Sequence, residues 1–150
     1  MLHMTHNSRL AVSVHMLAYL AYKGGSAVSS AELASSVGTH PVVIRRLLSR
    51  LKRSRFVGAR KGASGGFALG RPPAQITLLD VYRSVEPDSA TGMKRFAPNH
   101  KCPVGARIVD ILTKAFDKAQ AGMEAQLATV TIAEIEKQLR STCPSAKASP

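Results

Sequence analysis

Acidic residues are what this 150-residue chain has least of where it matters: nine Asp and Glu stand against 21 Lys and Arg. The shortage is uneven. Residues 1–79 carry 11 Lys/Arg and one acid, Glu32, a net of +10, while residues 80–150 carry 10 against eight. Tryptophan is absent. Two cysteines, Cys102 and Cys143, are too few for a disulfide scaffold. No apolar run approaches the ~20 residues of a membrane span. The opening "MLHMTHNSRLAVSVHMLAYLAYKGG" lacks a basic leader and a cleavage site, so no signal peptide is expected there. The expectation is a cytoplasmic protein without a membrane partner. A half this basic and this poor in acid points to a polyanion.

What is present is mostly helical. Leu10, Val14, Leu17 and Ala21 recur at helical spacing over 8–22, and Gly24-Gly25 ends the segment. His15 inside it reads as a packed or rim histidine. Ser29-x-x-Glu32 is a capping-box pattern opening a helix over 30–37, closed by Gly38. Thr39-His40-Pro41 opens a second helix over 41–54. Ala34, Gly38 and Ile44 then have helix-turn-helix spacing.

Charge strengthens that reading. On a helical projection Val43, Ile44, Leu47, Leu48 and Leu51 share an arc of about 140°. Arg45, Arg46, Arg50, Lys52 and Arg53 take the opposite side. From 41 to 61 there are eight Lys/Arg and no acid. A solvated surface helix mixes signs, whereas this one is built to face phosphates.

The stretch "RKGASGGFALG" (60–70) follows directly. It lacks the GxxxxGK[ST] or GxGxxG pattern of a nucleotide loop, and Gly70-Arg71-Pro72-Pro73 stops any helix after it. Residues 56–59 and 66–69 read instead as two strands with a tip at 60–65, a β wing. Thr77-x-x-Asp80 caps a helix over 78–85. Pro103 is expected to open a long helix, with Cys102 as its N-cap. Its apolar stripe Ile108, Leu112, Ala115, Ala119, Met123 and Leu127 calls for a partner helix. Thr131-x-x-Glu134 opens a last helix to about residue 140.

These residues resemble the Rrf-two (Rrf2) family of bacterial winged helix-turn-helix regulators, most specifically in "RKGASGGFALGRPPAQITLLDVYRSVEP". The resemblance implies a mainly α fold with a small β wing: a winged helix-turn-helix domain (1–85), a linker (86–102), and a dimerisation helix with a returning helix (103–140). A flexible tail (141–150) follows. It implies a homodimer that binds double-stranded DNA at a palindromic operator, and acts as a repressor. The expected DNA-binding residues are Ser29, Thr39, His40, Val42, Arg45, Arg46, Ser49, Arg50, Arg53, Arg60 and Lys61. Three positions depart from the family pattern: Lys61 replaces an arginine, Phe67 a tyrosine, and Arg55 a glycine.

The same resemblance raises the question of a cofactor. Cluster-binding members carry three cysteines before the dimerisation helix, and this chain has Cys102 alone, in "NHKCPVG". No cofactor is therefore expected; an iron–sulfur sensor would need non-standard ligands such as His100, and His100 with Cys102 does not close a zinc site. A helix N-terminus and Lys101 beside Cys102 favour a thiolate, so Cys102 is the sensor candidate, for an oxidant or small effector. An enzyme using Cys102 and His100 is not expected, since their i, i+2 spacing does not set them face to face. A protein-binding adaptor with a solvated basic face is the alternative.

Overall fold

The computed structural model describes residues 8–86 and 93–143. Helices α1 (Ser8–Tyr22), α2 (Ser30–Val37) and α3 (Pro41–Arg53) are followed by strands β1 (Val57–Arg60) and β2 (Gly66–Leu69) and helix α4 (Leu78–Val85). Then come the 23-residue α5 (Gly105–Leu127) and α6 (Ile132–Thr142). The chain is a winged helix-turn-helix, mainly α, with one two-stranded antiparallel sheet. Residues 87–92 of the expected linker and 144–150 of the expected tail lie outside the described residues.

One core organises residues 8–86. Met16, Leu17 and Leu20 of α1 meet Leu33 of α2, Ile44, Leu48 and Leu51 of α3, and Val81 and Val85 of α4. Ile132 of α6 joins them. Each such side chain contributes about 1.5–3 kcal/mol by leaving water, so the apolar arc of α3 fixes which way its other face points. Val43, expected in that arc, lies at its edge and is 39% exposed.

Local chemistry sets the helix ends. Gly38 ends α2 at φ 74. Thr77 and Thr131 each complete a reciprocal capping box, with Asp80 and Glu134. Ser29 completes only half of one: its Oγ accepts the Glu32 N–H. The Glu32 carboxylate turns away, accepting from the Tyr19 hydroxyl at 2.7 Å and meeting Lys23 at 2.9 Å. His15 is a rim residue, its Nε2 2.9 Å from Ser36 Oγ.

Four elements differ in their bounds from the sequence reading. Helix α3 ends at Arg53, with a Schellman closure in which Phe56 N–H donates to Leu51 O and Arg55 N–H to Lys52 O. Because Phe56 N–H is used there, β1 starts at Val57 and runs through Arg60 rather than over 56–59. Helix α5 starts at Gly105 rather than Pro103, since Asn99 first gathers the chain into a turn: its Oδ1 accepts Lys101 N–H and its carbonyl accepts Cys102 N–H. Helix α6 continues through Thr142, and Cys143 caps it.

Arg55 occupies the C′ position of the Schellman closure at φ 60, the one positive-φ residue besides glycine among the described residues. A side chain there costs about 1 kcal/mol relative to glycine.

The wing is tied to the helix-turn-helix. Val28 N–H donates to Phe67 O at 2.9 Å and Phe67 N–H to Val28 O at 2.8 Å. This approach explains one of the four glycines: a Cβ at Gly66 would stand 2.5 Å from the Val28 carbonyl oxygen. Gly66→Ala should therefore cost about 1–3 kcal/mol, as overpacking does. A lowered urea midpoint at unchanged m checks this, and an unchanged midpoint refutes it.

Candidate nucleic-acid interface

Helix α3 separates its chemistry by face. Ile44, Leu47, Leu48 and Leu51 are buried, while Arg45, Arg46, Ser49, Lys52 and Arg53 are exposed. Lys52, absent from the expected site, lies on the same basic side. Val42 is 39% exposed beside it. Arg50 differs: half-buried, its Nη1 donates to the Val85 carbonyl at 2.9 Å, closing the end of α4. Its guanidinium is committed to the fold.

Three expected site residues stand at the helix starts and in the turn between α2 and α3. Ser29 caps α2. Thr39 is half-buried in the turn, and His40 is the N-cap of α3, its Nδ1 accepting Val42 N–H at 3.2 Å. That acceptance leaves Nε2 as the protonated nitrogen of the neutral ring, facing outward from the helix start. Arg60 ends β1 and Lys61 opens the tip; both are exposed.

Two further arginines border this surface, and sequence reasoning left both out. Arg55 is exposed at the junction of α3 and the wing. Arg71 lays its guanidinium over the Phe56 ring at 5.1 Å and donates to Ser54 O at 3.3 Å. The replaced glycine at 55 was the available signal; nothing local marked Arg71, because its partners lie 15 and 17 residues away. The one acid of the basic half is neutralised in place, since Glu32 is held by Lys23 and Tyr19 and its carboxyl sits below the usual range for that reason.

Helix α5 stands apart from the core. Gly105 is buried, whereas Ile108, Leu112, Met123 and Leu127 are half-buried and Ala115 and Ala119 exposed. Val104 (67% exposed) and Ile111 (61%) extend the apolar surface beyond the expected stripe. Contacts with the winged domain gather near its C-terminal end: Gln120 donates to the Tyr82 hydroxyl, and Arg83 to Glu124 at 2.7 Å.

Cys102 is exposed and precedes the helix by three residues, so it is not the N-cap; Val104 holds that position without a side-chain bond. The thiol still meets helix-start donors. Backbone N–H groups of Gly105 and then Val104 hold its pKa below the usual thiol value, partly opposed by desolvation. The cause is the backbone, not the Lys101 ammonium. His100 and Cys102 are both exposed, and no hydrogen bond joins them among the described residues. Cys143, at the end of α6, is exposed too.

No helix among the described residues is long and apolar enough to cross a membrane. Residues 6–138 match Rrf2, described as an iron-dependent transcriptional regulator. YwnA of Bacillus subtilis strain 168, named as a candidate HTH-type transcriptional regulator, is 38% identical over 133 residues, 89% of this chain and 98% of that protein. A candidate transcriptional regulator from Lactobacillus plantarum superposes with a TM-score of 0.75 at 30% identity, covering 87% of this chain and 89% of that one. IscR of T. potens gives 0.69 at 21% identity over 99% and 94%, a likeness of fold.

The family description names iron, which needs several donors converging. Among the described residues no three His, Cys, Asp or Glu side chains come together as a metal site. The residues described do not fit the metal.

A depressed thiol pKa predicts that alkylation of Cys102 by iodoacetamide follows a pH profile shifted below that of a free peptide thiol. Peptide mapping of the labelled protein, with Cys143 resolved separately, measures it. A Cys102 profile coincident with the free thiol refutes the assignment.

Proposed function

Because the chain belongs to the Rrf2 family of transcriptional regulators, we propose that it is a homodimeric repressor reading a palindromic operator with α3 and the wing. The observation that carries the proposal is the charge division of α3: four buried aliphatic residues on one side, Arg45, Arg46, Lys52 and Arg53 exposed on the other, and no acid from 41 to 61. In this reading α3 enters the major groove, with His40, Val42, Arg45, Arg46 and Ser49 toward base edges. Ser29, Thr39 and Arg53 meet phosphates. Arg60 and Lys61 reach the adjacent minor groove, where lysine lacks the planar fork of arginine and reads a narrow groove less well.

Residues 1–85 are then the DNA-reading unit and 103–140 the dimerisation unit. A 23-residue helix that exposes Ile111, and its N-cap Val104, to solvent is explained by a second copy. Cys102 is the oxidant sensor of this reading: a sulfenate or mixed disulfide there alters the base of the dimer helix and so the separation of the two recognition helices, which must match about 34 Å on DNA. The protein-binding adaptor is the reading to beat, and salt separates the two.

Affinity for operator duplexes should fall steeply with salt. Arg46→Ala or Lys61→Ala should each weaken binding by about 1–3 kcal/mol. Fluorescence anisotropy across a salt series tests both; binding indifferent to salt favours the adaptor.

The dimer has a clean probe in Ile111, since its exposure makes an aspartate tolerable within one protomer. Leu112, half-buried, does not offer that. Ile111→Asp should sediment as a folded monomer and lose cooperative operator binding, the charge being stranded in an apolar seam. Retention of a wild-type dimer would place the interface elsewhere.

A further inference from the structure

We propose that Arg55 is a further phosphate-contacting residue of this protein, kept at the helix–wing junction in a backbone conformation that glycine would adopt at lower cost. The inference rests on the reading that α3 and the wing face DNA.

Three observations carry it. The first is the backbone outlier itself: Arg55 stands at φ 60, in the closing turn of α3, where the Schellman geometry favours glycine. Strain that persists in a fold asks for a compensating use.

The second is that no use is visible inside the protomer. Among the described residues, no hydrogen bond or ion pair engages the Arg55 guanidinium, and the side chain is exposed. Four other arginines are occupied within the protomer. Arg50 closes α4 on Val85 O, Arg71 stacks on Phe56, Arg83 pairs with Glu124, and Arg140 donates to Tyr22 O.

The third is position. Arg55 follows exposed Arg53 at the end of α3 and precedes β1, so it joins the two elements that carry the basic surface. Its immediate backbone is firmly held. Arg55 N–H donates to Lys52 O, Phe56 N–H to Leu51 O, and Gly70 N–H to Phe56 O at 2.9 Å. A side chain launched from a fixed backbone loses less freedom on binding. A guanidinium whose donors meet no partner among the described residues, between a groove-reading helix and a wing, fits a phosphate of the strand that runs between the two grooves.

The test uses the full-length protein and duplexes enriched by the wild type from a randomised pool. Arg55→Gly should melt about 2–4 °C higher, through relief of the backbone. It should nevertheless bind roughly 3–10-fold more weakly, with the slope of log K against log salt reduced by about 1. Stability and affinity thus move in opposite directions, and the reduced slope separates a lost phosphate contact from a loosened backbone. Arg55→Asn, which also tolerates a left-handed backbone, should repeat the loss of binding, and Arg55→Lys should keep the wild-type slope. Wild-type affinity and slope in Arg55→Gly overturn the proposal. So does weaker binding at an unchanged slope, which would assign the effect to backbone conformation. Arg46→Ala run in parallel separates the levels: if it is weakened while Arg55→Gly is not, only Arg55 is misassigned. If neither changes salt-dependent binding, the interface itself is wrong and this inference falls with it.

Discussion

The pair of backbone hydrogen bonds between Val28 and Phe67 is the constraint on which the arrangement of the basic surface depends. Each is worth only about 0.5–1.5 kcal/mol net, so their importance is geometric. Val28 immediately precedes Ser29, the cap of α2, and Phe67 is the second residue of β2. One short bridge therefore sets the wing against the segment that launches the helix-turn-helix. Gly66 makes the approach possible, because any Cβ there would meet the Val28 carbonyl. At least one glycine of the glycine-rich stretch thus serves contact between two backbones of the same chain.

The same economy governs charge. Apolar burial orients α3, and the basic face follows as a consequence of the core. Where a charge would oppose the surface or be wasted, the fold disposes of it locally. Glu32 is held by Tyr19 and Lys23, an exposed pairing that adds little to stability but removes a free anion from the basic half. Arg50, by contrast, is taken from the surface and set on the Val85 carbonyl. A helical projection counts both residues by position alone, and position alone cannot say that one carboxylate is screened and one guanidinium is spent.

That difference marks how far the sequence could be read. The helices over 8–22, 30–37 and 78–85 were legible to the residue because their ends are set by neighbours within four positions: Gly38, Thr77 with Asp80, and the Gly24-Gly25 pair. The capping pattern at Ser29 was half misleading, since Glu32 had a tertiary partner to turn to. The start of β1 was misplaced by one residue because Phe56 N–H is claimed by Leu51 O, and the start of α5 by two because Asn99 gathers the chain first. Least legible were pairings far apart in sequence. Thr77 bridges Thr131, Leu78 N–H donates to Val130 O, and Ile132 N–H donates to Ile76 O. No periodicity signals that α6 returns to the core through a backbone ladder 54 residues away.

Those last contacts bear on how a sensor could act. The ladder at 76–78 with 130–132, together with Gln120–Tyr82 and Arg83–Glu124, fastens the C-terminal end of α5 to the winged domain. Cys102 lies beyond the other end, and 23 helical residues separate the two by about 34 Å. A change at the thiol has two routes to α3. One follows the chain back through 93–101 toward α4, whose end Arg50 ties directly to α3. The other runs along α5, whose N-terminal half exposes Ile111 and follows the exposed Val104. In the dimer we propose, that half lies in the seam, so oxidation there would shift one protomer against the other while leaving the ladder intact. The recognition helix would keep its own structure and lose only its spacing from its twin, which is the quantity a palindromic operator measures.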